Sequence, residues 1–94
     1  MAARVINITE DGDYPIPVTP GVDHILGVSE VNSGDWASVT ITLKWRGASA
    51  DVDFEDGVFT ADGGIRFAAP VEEVVLNVSG ISSGEAFRAN ISKA

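Results

Sequence analysis

The chain has 94 residues, 14 acidic against 6 basic, with one histidine and no cysteine. A formal charge of -8 and a pI near 4.2 argue against a phosphate-binding surface, because displacing counterions takes a basic stripe that six scattered cations do not form. Without cysteine there is neither a disulfide framework nor a thiolate zinc site, so a single alternating core must carry the stability of the one domain that this length allows.

The first segment, Met1 to Thr9, has one charge and no apolar run of signal-peptide length. It predicts a protein made and kept in a cytoplasm, or assembled there into something larger. No stretch approaches the ~18 apolar residues of a membrane span, so no membrane partner is expected. Arg4 to Thr9 places Ile6 and Ile8 on one side, and Glu10-Asp11-Gly12-Asp13 reads as a turn. Asp13 to Val18 follows with Tyr14, Ile16 and Val18 on one side and Pro15 and Pro17 on the other. Proline cannot donate to a ladder, so this strand belongs at a sheet edge. Asp23 to Ser29 carries Ile25, Leu26 and Val28.

The longest regular pattern runs from Trp36 to Arg46. Ala37, Val39, Ile41, Leu43 and Trp45 fall on one face, and Ser38, Thr40, Thr42, Lys44 and Arg46 on the other. This predicts a long half-buried strand. Trp36 has the parity of the polar face, which makes it the candidate exposed aromatic, although a lid over a strand end is the commoner use of such a residue. Asp51 to Glu55 places Val52 and Phe54 inward against three acids outward. Asp56-Gly57 and Asp62-Gly63-Gly64 bracket Val58-Phe59-Thr60 and suggest successive hairpins. Ile65 with Phe67, then Val74, Leu76 and Val78, then Phe87, Ala89 and Ile91 complete the series. The expected fold is all-β: one antiparallel β-sandwich or jelly roll of about eight short strands over residues 1–94, with 1–8 as a contact arm or edge strand.

Chemistry is harder to find. His24 is the only histidine, and no G-x-S-x-G accompanies it, so a serine triad fails. The glycine-rich stretches lie between strands, where they are turns and not phosphate cradles. Asp51, Asp53 and Glu55 would repel one another on a single strand face, and a hard cation such as calcium could relieve them. The sixth position of a calcium loop begun at Asp51 holds Asp56 instead of glycine, so the stronger reading is a solvated or partner-facing acidic stripe. The triplets at Asn7, Asn77 and Asn90 sit inside expected strands and are read as coincidence, not glycan sites. A chain whose residues are mostly spent on a core leaves little for a cleft of ~300 Å³, so no enzymatic activity and no cofactor are expected.

Thr40-Ile41-Thr42-Leu43-Lys44-Trp45, Phe59-Thr60-Ala61-Asp62-Gly63-Gly64 and Leu76-Asn77-Val78-Ser79-Gly80 together resemble small β-sandwich accessory proteins of tailed-bacteriophage virions. The resemblance runs from Trp36 onward and implies a non-enzymatic structural protein, first of all a capsid decoration (cement) protein that binds and stabilises the head shell. A tail or fibre module, or a small carbohydrate-binding sandwich with Trp36 as its platform, are the alternatives. The partner implied is the major capsid protein or another virion protein, within a homo-oligomer for which a trimer is favoured. Arg4, Ile6, Ile8, Tyr14, Ile16 and Trp36 are the expected contact residues.

Overall fold

A computed structural model of the chain describes residues 4–32, 36–46, 51–82 and 85–94, with only the backbone at Arg46, Asp51, Glu55 and Asp56. Eight strands lie among these residues: β1 (Arg4–Ile8), β2 (Gly12–Pro17), β3 (Asp23–Glu30), β4 (Thr40–Arg46), β5 (Asp51–Phe59), β6 (Gly63–Ala68), β7 (Glu73–Ser79) and β8 (Phe87–Lys93). They form two four-stranded antiparallel sheets, in the orders β1-β8-β3-β6 and β2-β7-β4-β5. The pairings are nested: β1 with β8, β2 with β7, β3 with β6 and β4 with β5, as though one long hairpin had been rolled up. Two further ladders, β3 with β8 and β4 with β7, close each sheet.

The core lies between the sheets and is supplied by the alternation expected of half-buried strands. Ile41 and Leu43 from β4, Val74, Leu76 and Val78 from β7, and Phe87, Ala89 and Ile91 from β8 are all buried. Leu26 and Val28 of β3 share the inner face of the β8 residues and face those of β4 and β7, while Ile25, between His24 and Leu26, is exposed on the outside of the sheet. The edge position expected of the proline strand is correct. β2 pairs only with β7, with Pro15 opposite Val75 and Pro17 opposite Glu73.

Two expectations about the middle of the chain fail. The strand beginning at Trp36 begins instead at Thr40. The Val39 amide donates to the Trp36 carbonyl at 2.9 Å and Ala37 has φ 48°, so these residues turn instead of extending. Parity counted from the strand therefore does not reach Trp36. The Asp56-Gly57 turn and its hairpins are likewise absent, because Gly57 lies inside β5, and β5 and β6 belong to different sheets. Between the pairs Thr42–Val58 and Lys44–Asp53, β4 supplies one residue and β5 supplies four, which is a large bulge. Gly57 lies at its buried end, where an added Cβ would be crowded, 3.1 Å from the Phe54 carbonyl and 3.2 Å from that of Leu43. Val52 beyond the bulge is exposed and Phe54 within it is half-buried, where both were expected inside.

The two sides of the sandwich differ. At β5 and β6 the sheets are joined by Phe54 and Phe67, whose rings meet edge-on at 5.2 Å. On the other side Ile8 of β1 and Ile16 of β2 are buried between the sheets, and a cavity lies at the corner where β1 starts and β2 ends.

Candidate functional site

The cavity at this corner is about 360 Å³ and is lined by Arg4, Pro17, Val18, Thr19, His24, Ile91 and Ser92. These residues converge because the nested pairing brings the start of β1, the end of β2, the start of β3 and the end of β8 to one corner. The His24 ring is buried and stacks on Phe67 at 5.6 Å. With its Nδ1 2.8 Å from the Val22 carbonyl, the Nδ1–H donates there and the ring is fixed in place. Arg4 is exposed at the mouth, and the lining holds no carboxylate in a chain that has 14 acids. No acid–base pair of carboxylates can be assembled from these walls. They can hold an apolar group with an anionic or hydrogen-bonding end, or seat part of a neighbouring chain. Of the lining, only Arg4 is a contact residue expected from the sequence. Alternation cannot show that the ends of four distant strands meet.

The other expected contact residues are divided. Ile6 and Tyr14 are half-buried against the core, while Ile8, Ile16 and Trp36 are inside it. Trp36 is 4% exposed, which corrects the parity argument. Its indole meets the Phe87 ring edge-on at 4.7 Å, and its Nε1–H donates to Asp62 Oδ1 at 2.7 Å. The same oxygen accepts the Glu30 amide at 3.0 Å. These two donors, with Trp36 the larger influence, hold the Asp62 carboxyl below its ordinary value against a smaller opposing effect of desolvation. Trp36, Asp62 and Glu30 thus tie the turn before β4 to the turn before β6 and the end of β3. This is a structural latch, and it leaves no flat indole face for a sugar.

Several of the acids hold loops in place. Asp11 accepts the amides of Gly80 at 3.2 Å and Ile81 at 2.8 Å, fastening the β1–β2 connection to the segment after β7. Asp13 accepts the Asn77 amide at 2.7 Å, and Asp23 pairs with Arg66 at 3.0 Å. In the stripe Asp51, Asp53 and Glu55, Asp53 is exposed and lies 3.5 Å from Lys44. The Asp51 and Glu55 side chains fall outside the described residues, and among the described residues no cluster of three metal-ligating side chains occurs.

Charge is unevenly distributed over the two sheets. Arg4, Arg66, Arg88 and Lys93, four of the six basic residues, lie on β1, β6 and β8. The acids of that sheet are Asp23, paired with Arg66, and Glu30, which is buried. The negative charge therefore belongs mainly to the loops and the second sheet. Compared with protein-family models, with curated proteins and with solved structures, the chain matches none of them.

Proposed function

We propose that the chain is a non-enzymatic structural protein of a tailed-phage virion, a decoration protein that binds the assembled head shell as a homo-oligomer after synthesis in the host cytoplasm. The observation that carries this reading is the strand order. The sheets β1-β8-β3-β6 and β2-β7-β4-β5, built from nested pairs, support a reading of the sandwich as an eight-stranded jelly roll. Jelly rolls serve repeatedly as capsid and lectin domains, and the inference from fold to function is one of analogy. Burial of Trp36 in the latch counts against the lectin alternative, whose platform it would have been. The acidic loops and second sheet keep free copies apart and away from packaged nucleic acid, while the first sheet, with four basic residues against Asp23 and the buried Glu30, offers a contact surface free of that repulsion.

The test is to mix the purified protein with expanded shells that lack decoration and to follow co-sedimentation. Saturable addition at fixed stoichiometry is expected. Binding to isolated tails but not to shells would move the protein to the tail or fibre class. Binding to neither would end the virion reading.

A further inference from the structure

The four sheet edges are not equally protected. β2 is blunted by Pro15 and Pro17, β5 is broken by its bulge, and β6 opens on Gly63-Gly64 and carries the charged Arg66. Natural sheets guard open edges with such devices, since an unguarded edge pairs with whatever strand it meets. β1, Arg-Val-Ile-Asn-Ile, contains no proline, no glycine and no acid, carries its one charge at its first residue, pairs only with β8, and exposes Val5 to 53%. It also borders the cavity through Arg4 and belongs to the less negative sheet.

We propose that β1 is a self-association edge, at which two copies pair β1 against β1 about a two-fold axis through Asn7. This rests on the reading of the chain as a component completed by association. An antiparallel ladder centred on Asn7 sets Asn7 against the partner's Asn7, Ile6 against the partner's Ile8, and Val5 against the partner's Thr9. At each end Arg4 then comes level with the partner's Glu10 in the bend that follows β1, both of them exposed, so two opposite-charge pairs favour this register. An axis through Ile6 would instead set Arg4 against Ile8 and leave the charges unmatched. The ladder joins the two first sheets into one sheet of eight strands and keeps the acidic second sheets off the contact. Its short length places it below the ~1,600 Å² of a standard interface, so the dimer depends on concentration. A two-fold pair takes the place of the homotrimer expected from the sequence.

The chain has no cysteine, which makes the test direct. Directly opposed residues of an antiparallel pair have Cα atoms ~4.5–5.5 Å apart, within the ~4.4–6.8 Å that a disulfide spans. Asn7→Cys should therefore oxidise to a covalent dimer. Asn90→Cys, exposed on the adjacent β8 opposite Val5, would stand ~20 Å from its symmetry mate, three strand spacings (~14 Å) across the sheet and four residues (~13 Å) along it, and should stay monomeric. In sedimentation equilibrium the unmodified protein should pass from monomer to dimer as its concentration rises. Arg4→Glu or Glu10→Arg alone should weaken the dimer about tenfold, and the double charge swap should restore it to within about threefold. A monomer at every concentration, a trimer, equal crosslinking of both cysteine variants, or a double swap no better than the singles would each overturn the proposal. None of these results bears on shell binding, which is measured separately.

Discussion

Replacing Trp36 separates a buried latch from an exposed anchor. At a surface position Trp36→Ala would change stability by no more than about 0.5 kcal/mol. In this structure the residue is 4% exposed, packs edge-on against Phe87 and donates to Asp62. Truncating a buried tryptophan costs about 3–5 kcal/mol. For a domain of this size that lowers the melting temperature by ~4–8 °C per kcal/mol, so a fall of at least ~12 °C is expected. Such a loss takes much of the ~5–15 kcal/mol that typically holds a domain folded. Trp36→Phe is the milder companion: it keeps an aromatic edge toward Phe87 but loses the indole N–H, and it should cost about 1–3 kcal/mol. The assay is urea unfolding followed by far-ultraviolet circular dichroism, with the slope compared to confirm that the same surface is exposed. In a double-mutant cycle with Asp62→Asn, part of the Trp36→Phe cost should disappear, since the two groups share one hydrogen bond. A Trp36→Ala variant within about 0.5 kcal/mol of the parent would refute the latch and return Trp36 to the surface.

Glycine substitutions test the turn geometry. Gly80 has φ +88°, and an added Cβ would collide with the Ser38 carbonyl, whereas Gly21 at φ +74° has open space around it. Gly21→Ala should cost ~1–2 kcal/mol from the backbone alone, and Gly80→Ala ~1–3 kcal/mol more in denaturant unfolding; equal costs would refute the close approach. Because its folded pKa is lowered, the Asp62 carboxylate stabilises the fold above its ordinary value of 3.8 and loses that contribution as pH falls through the lower folded value. The melting-temperature gap between the parent and Asp62→Asn should therefore narrow below about pH 4, and a gap constant down to pH 2 would contradict it. Lys44→Ala should lie within about 1 kcal/mol of the parent, as a part-exposed ion pair implies, and should lose its effect in high salt.

Period-two alternation made the strands themselves legible, because each half-buried strand must present every second residue to one core. It identified the inward faces of β4, β7 and β8, and the prolines placed β2 at an edge before any partner was known. What alternation cannot carry is partnership. The ladder of β1 with β8 sets Arg4 opposite Ile91, at almost the full length of the chain, and nothing local in either strand encodes it. The cavity at Arg4 and His24 follows from that ladder and was hidden for the same reason. Trp36 was misplaced because a parity is valid only while the backbone stays extended, and Ala37 at positive φ breaks it. Asp56-Gly57 has the residues of a turn, yet Gly57 serves a different need. It lets β5 bulge where two carbonyls crowd the position that a side chain would take.

The structure also changes what the net charge means. Read from composition, -8 is a uniform property that repels other copies of the chain. In the fold, Asp11, Asp13 and Asp62 each hold a loop or a neighbouring strand through short hydrogen bonds, and Asp23 and Asp53 each face a cation. The β1 edge has no acid of its own, and its sheet carries most of the basic residues. Repulsion is therefore directional, strong between second sheets and weak along the first. A surface charged in this way favours one approach over the others, since the wrong encounters cost more than the right one. Added salt should screen this preference, so that the orientation of association, and not merely its strength, depends on ionic strength.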